Sequence, residues 1–302
     1  MVRFSHTIFA LPFALIGFFL ATVRNPLYVI TGQRNLNNSI GWGWDVTNVT
    51  SWGSIGTKFI LVLICMITAR SAAMAFNRYL DRHFDAKNPR TAIREIPKVI
   101  ISADSALRFT IVSCILFIVT CFFINHICFY LAPVALFVIL FYSYTKRFTA
   151  LCHLVLGLGL SLAPIGAYLA VTGRFDVLPV LFSFAVIFWV SGFDIIYALQ
   201  DVEFDRSQSL HSIPAALGKK RALHVSELLH LLSAACVIAA GIYGHFHWIY
   251  WLGIAVFAGM LTYQHSIVKP DDLRKVNIAF MTANGIASVV FAVLVICDLL
   301  IF

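Results

Sequence analysis

Charge is scarce in this chain. Of its 302 residues, 12% are Asp, Glu, Lys or Arg and 60% are apolar, against about 25% charged in an ordinary soluble domain. That balance excludes a soluble globular enzyme. Cys-x-x-Cys spacing is missing as well. The seven cysteines (Cys65, Cys114, Cys121, Cys128, Cys152, Cys236 and Cys297) all fall inside apolar runs. Neither a disulfide framework nor a zinc site is indicated, and they read as small packing residues. The ten histidines form no His-Glu-x-x-His pattern. The formal net charge of +8 is not gathered into a soluble basic face, which argues against a nucleic-acid partner. Alternating segments of about ten residues are absent, so a transmembrane barrel is excluded. No small-residue cleavage site follows Ala21, so the opening segment reads as a retained first helix rather than a signal peptide. No linker divides the chain, and residues 1–302 are expected to form one domain.

What the chain does have is apolar length. Runs of about 18 or more apolar residues read as membrane-spanning helices. Nine are counted, at roughly 6–23, 57–77, 108–125, 127–145, 150–172, 177–199, 222–243, 246–266 and 277–301. The expectation is an all-α polytopic membrane bundle of about nine helices. Lys and Arg concentrate in 78–108, at Lys146 and Arg147, at 206–221 and at 269–275. The positive-inside rule puts these segments in the cytoplasm, with the polar stretch 24–56 on the other side. That stretch carries Trp42, Trp44 and Trp52, expected at headgroup level, and the acceptor-like tripeptides at Asn37 and Asn48. Trp248, Tyr250 and Trp251 form a second interfacial belt.

Two acidic clusters sit at the cytoplasmic ends of apolar runs. One is Asn77-Arg-Tyr-Leu-Asp81-Arg-His-Phe-Asp85, in the loop 78–107; the other is Tyr197-Ala-Leu-Gln-Asp201-Val-Glu-Phe-Asp205, in the loop 200–221. They follow the second and sixth runs, a separation that points to a duplicated four-helix unit. Each holds two carboxylates four residues apart, stacked on one helical face. Like charges so placed repel unless a cation lies between them. Mg²⁺ binds through one or two carboxylates plus the oxygens of a substrate phosphate, so two such pairs suit one diphosphate. Asn77 adds a neutral oxygen one turn before Asp81. Arg90 and Arg94, one turn apart, and Lys146 supply cations for phosphate oxygens. The 27 phenylalanines suit an isoprenoid tail and an allylic cation.

These motifs, together with Tyr142-Ser-Tyr-Thr-Lys146-Arg147 and the opening Phe4-Ser-His-Thr-Ile-Phe-Ala-Leu-Pro12, resemble the UbiA superfamily of intramembrane aromatic prenyltransferases. The Asn-Arg-x-x-Asp start is most similar to the 4-hydroxybenzoate polyprenyltransferase branch. The resemblance implies Mg²⁺-dependent transfer of a polyprenyl group from polyprenyl diphosphate to an aromatic acceptor, 4-hydroxybenzoate or a related quinone precursor. It makes Asp81, Asp85, Asp201 and Asp205 catalytic metal ligands with Asn77, and Arg90, Arg94 and Lys146 diphosphate binders. It also implies a bacterial inner-membrane enzyme whose site faces the cytoplasm. Ser209 departs from the glycine frequent there in the family, and 24–56 is long for that connection. Dihydroxynaphthoate or haem as acceptor is the alternative within the superfamily. A transporter with acidic ion sites is the alternative from another class; transporters keep such residues near the midplane.

Two further charges lie within the apolar runs. Arg70 precedes Asn77 by seven residues and Asp194 precedes Asp201 by seven, which places each on its motif's side roughly 10 Å deeper. Intramembrane charges usually pair. Arg70 and Asp194 are therefore expected to meet across the cavity floor, directly or through a water, and with Tyr197 to shape the acceptor pocket.

Overall fold

The computed structural model describes residues 9–24 and 52–302. The stretch that holds Trp42, Trp44, Asn37 and Asn48 lies outside the described residues, as do the first eight. Among the described residues nine long helices occur, where the apolar runs put them. They are α1 (Leu11–Arg24), α2 (Trp52–Leu80), α3 (Ala103–Ile124), α4 (His126–Thr145), α5 (Cys152–Thr172), α6 (Val177–Ala198), α7 (Lys219–Tyr243), α8 (Trp248–Ile267) and α9 (Asn284–Ile301). Seven of the helical segments among the described residues are long and apolar enough to cross a membrane. Helix α1 is apolar but only 14 residues long, and α8 also falls outside the seven.

Local chemistry sets the ends. Ser102 caps α3 by accepting from Ser105 N–H, and Asn125 caps α4 by accepting from Cys128 N–H. Asn125 is the single residue between α3 and α4, and its Nδ2 donates to the Leu169 carbonyl of α5 at 2.8 Å. Gly173 closes α5 in the left-handed region at φ 64°, where a glycine carries no Cβ penalty.

The core joins α1, α6, α8 and α9 through Phe13, Trp189, Phe257 and Phe291, all fully buried. Trp189 Nε1 donates to Asn284 Oδ1 at 2.8 Å. Asn284 follows a π-helical turn, Ile278–Ala283, and its Nδ2 donates to the carbonyls of Ala279 and Phe280. The wide turn thus keeps its freed carbonyls satisfied, and it places Phe280 and Met281 on the wall of the cavity described below. Small residues let membrane helices approach closely. Gly17 on α1 shows this: a Cβ there would sit 2.0 Å from the Pro164 carbonyl oxygen of α5. Gly17→Ala is expected to destabilise the protein by about 1–3 kcal/mol through overpacking against backbone. Gly259→Ala, with open space around the glycine, should not. Thermal unfolding of both variants in detergent checks the contrast.

Candidate active site

The first acidic motif begins inside α2 and continues in a short helix, Arg82–Lys87, whose N-cap is Asp81. The second crosses a 3₁₀ turn, Leu199–Asp201, into the short helix Val202–Ser207, with Asp201 as N-cap. Neither carboxylate pair therefore lies on one unbroken helix. The turn between Asp81 and Asp85 is still closed by a backbone hydrogen bond, Asp85 N–H to Asp81 carbonyl at 2.8 Å.

Each of the four carboxylates has a basic partner. Arg94 Nη1 reaches both oxygens of Asp85 at 2.7 and 2.8 Å. Arg90 donates from Nε to Asp201 Oδ1 at 3.0 Å and from Nη2 to Oδ2, while Asn88 Nδ2 also donates to Asp201 Oδ1 at 3.1 Å. Lys146 Nζ lies 2.7 Å from Asp205 Oδ1, an ion-pair contact, and Ser212 Oγ donates to Asp205 Oδ2 at 2.9 Å. Arg147 Nη2 is 3.3 Å from Asp81 Oδ1, and Asn77 Nδ2 donates to Asp81 Oδ2 at 2.9 Å. Arg90 thus ties the first motif's loop to the second motif.

The carboxylates expected to bind metal and the cations expected to bind diphosphate are here paired with one another. Among the described residues no group of three or more His, Cys, Asp and Glu is placed to hold a metal ion. Burial, and then the neighbouring Asp85 carboxylate, push Asp81 up to about 6 despite Arg147. Burial pulls Lys146 down, but Asp205 outweighs it and holds the ammonium above its ordinary value. Asp205 has no exposed side-chain surface, so without that cation its charge would stand uncompensated.

Beneath the motifs opens a cavity of about 1040 Å³. Its mouth is polar, lined by Asn77, Arg90, Arg94, Tyr197 and Gln200, and its far end is apolar, lined by residues such as Phe117, Ile124 and Leu169. The four aspartates stand behind the arginines rather than on the wall. Tyr197 is fixed from two sides: its ring stacks on Phe280 at 4.2 Å, and its hydroxyl accepts from Arg90 Nη1 at 2.7 Å.

Midway down, Arg70, Tyr142 and Asp194 all face this cavity. The expected direct pair of Arg70 with Asp194 is not made. Asp194 Oδ2 instead lies 2.7 Å from His153 Nδ1 of α5, and Arg70 Nε is buried with no hydrogen-bond partner among the described residues. The His153 imidazole, one helix away, lies closer to the carboxylate than the arginine across the cavity does. The sequence reading missed His153, Arg147 and Asn88 as site residues. His153, an ionisable residue inside an apolar run, was the available signal; Arg147 adjoins Lys146, and Asn88 immediately precedes the Pro-Arg90 step.

Residues 40–286 match the model of the UbiA prenyltransferase family. The chain belongs to the UbiA prenyltransferase family. It is an integral membrane prenyltransferase. A 4-hydroxybenzoate octaprenyltransferase of Tolumonas auensis is 29% identical over 238 residues, spanning 78% of this chain and 83% of that protein. One from Francisella tularensis is 27% identical over 237 residues, with 78% and 83% covered. A UbiA homologue from Aeropyrum pernix, solved in its apo form, superposes with a TM-score of 0.77 at 27% identity, covering 100% of this chain and 99% of that one. A UbiA homologue from Archaeoglobus fulgidus bound to DMAPP and Mg²⁺ shares the fold with a TM-score of 0.63 at 18% identity, covering 99% and 100%.

Proposed function

We propose that this UbiA prenyltransferase transfers a polyprenyl group from its diphosphate to an aromatic acid, 4-hydroxybenzoate, in quinone biosynthesis. The observation that carries the reading is the cavity itself: a mouth of arginines over an apolar chamber with a cation halfway down, Arg70, whose Nε has no hydrogen-bond partner among the described residues. Three needs of the substrates, two of charge and one apolar, are met by that layout. The diphosphate finds Arg90 and Arg94 at the mouth, with Lys146 behind them; the isoprenoid finds the apolar end; an acidic acceptor finds Arg70, whose buried Nε wants an anion. The names of the relatives from Tolumonas and Francisella point to the same acceptor.

The residues present fit Mg²⁺. All the donors at the two motifs are hard oxygens, and Asp81, raised by burial beside Asp85, is a carboxylate short of positive charge. The pair Asp81 and Asp85, with the amide oxygen of Asn77, and the pair Asp201 and Asp205 would each hold Mg²⁺ through one or two carboxylates plus the diphosphate's own oxygens, and the metal when bound neutralises the diphosphate as a leaving group. The protein's own residues do the rest. Arg90 and Arg94 at the mouth, with Lys146 behind them, would stabilise the charge that develops as the allylic C–O bond breaks, and fixed charge in such a place is commonly the largest catalytic term. Tyr197 and Phe280 line the cavity as a stacked pair, and aromatic rings beside an allylic cation would stabilise it. The apolar wall keeps water from the allylic cation, which would otherwise become an alcohol.

The direct test incubates purified protein with geranyl diphosphate, Mg²⁺ and a panel of aromatic acids, and reads products by mass spectrometry. A prenylated 4-hydroxybenzoate that disappears in excess EDTA is expected. Turnover of dihydroxynaphthoate alone, or none with any aromatic acid, would remove the reading. The motif loops belong to the cytoplasm of a bacterial inner membrane in this proposal. A cysteine probe at Ser209 should then be protected in intact cells and one at Arg174 labelled, in a background lacking the native cysteines. The reverse pattern would invert the topology.

A further inference from the structure

The proposed transfer leaves one buried pair of residues without a task, and its geometry specifies one. His153 is almost wholly buried on α5, while Asp194 on α6 keeps 24% of its side chain exposed and lines the cavity. A third partner orients the ring. Ile213 N–H lies 3.4 Å from His153 Nε2, and a backbone N–H can only donate. Nε2 faces that N–H, and Nδ1 is the nitrogen turned to Asp194, donating to its Oδ2 at 2.7 Å. The second oxygen of Asp194, Oδ1, has no hydrogen-bond partner among the described residues. The main chain of His153 is held in turn: Ser191 Oγ donates to its backbone carbonyl at 3.1 Å. Ile213 follows Ser212, which holds Asp205, so the pair is braced against the second motif.

A carboxylate with one oxygen clamped and the other turned to an apolar chamber is a hydrogen-bond acceptor waiting for a donor. Resting on the proposed aromatic acceptor, we infer that Asp194 accepts the phenolic proton of that acceptor, and that His153 is the positioning residue that keeps Oδ1 aimed at it. A phenol that gives up its proton is most electron-rich at the carbons ortho to its oxygen. As the allylic C–O bond breaks, its electron pair leaves with the diphosphate, and an ortho ring carbon bonds to the prenyl C1. The phenolic proton passes to Asp194 Oδ1, so the ring becomes a neutral cyclohexadienone rather than a cation. The proton on the substituted ring carbon then goes to the released diphosphate. Asp194 returns its proton to the ring oxygen, which restores both the phenol and the carboxylate.

The experiment compares two acceptors, 4-hydroxybenzoate and its more acidic 3-fluoro analogue, whose phenol ionises without help. Asp194→Asn should lower kcat/KM for 4-hydroxybenzoate by about a hundredfold, the low end for a positioned proton acceptor. The loss with the fluoro analogue should be several times smaller, and the KM for geranyl diphosphate should stay where it is. His153→Asn places an amide N–H near the position of Nδ1 and should keep most of the activity, whereas His153→Leu should show the same acceptor-dependent loss as Asp194→Asn. Equal losses with both acceptors, unchanged activity in Asp194→Asn, or equal rates in the two His153 variants would overturn the inference. Should Asp194→Asn fail to fold, the His153 pair decides alone. Wild-type protein that prenylates no phenol would instead sink the proposed function, which separates the two failures.

Discussion

Asp201→Ala should lower kcat by about a hundredfold to a thousandfold, the range seen when one group that stabilises developing charge is removed. Asp201 does two things at once. It is an oxygen donor of the second motif, and it holds Arg90 by two nitrogens and Asn88 by one. Removing it releases the arginine that spans the motifs and lines the mouth, and with it the hydrogen bond that arginine makes to Tyr197. Asp81→Ala should be as harmful, since Arg147 and Asn77 both converge on that carboxylate. Both variants are expected to remain folded, checked by helical circular dichroism and gel filtration, because the motifs sit outside the aromatic core of Phe13, Trp189, Phe257 and Phe291. Full turnover in both variants, or in wild type with excess EDTA, would show that neither carboxylates nor metal take part. A milder loss in Asp201→Asn than in Asp201→Ala would show that hydrogen bonding to Arg90 matters apart from charge.

The helices were legible because hydrophobic length is a local property, and each apolar run became a helix within a few residues of its expected place. The acidic motifs were legible because their four-residue spacing is also local, and Asp81 and Asp85 keep that relation through a backbone turn. What the sequence could not carry is the pairing across elements. Arg90 and Arg94 look like equivalent cations one turn apart, yet one binds Asp201, 111 residues away, and the other binds Asp85, nine residues away. Nothing in spacing decides between those partners; the packing of the motif loops does. Arg70 and Asp194 illustrate the converse. The rule that intramembrane charges pair was sound for Asp194, but its partner is a histidine, which a count of Asp, Glu, Lys and Arg leaves out.

That correction changes what the buried arginine is expected to do. Had Arg70 and Asp194 formed an ion pair, removing either would have stranded the other at a cost of about 3–5 kcal/mol, and the double variant would have recovered part of the loss. With Asp194 held by His153 and Arg70 Nε without a hydrogen-bond partner among the described residues, Arg70→Met removes a buried cation that is costly to keep and leaves the long apolar stem that packs on the wall. The variant should melt no lower than wild type, and Arg70→Met with Asp194→Leu should show stability changes that add within about 0.5 kcal/mol. Function should move the other way. A hydrogen bond to a charged group contributes about 1.5–3 kcal/mol, so kcat/KM for 4-hydroxybenzoate should fall roughly 10- to 150-fold, while the KM for geranyl diphosphate holds. The loss should shrink with an acceptor that lacks a carboxylate, such as a simple phenol, because that molecule never used the guanidinium. Equal losses with both acceptors would mean that Arg70 shapes the cavity instead of reading the acceptor's charge.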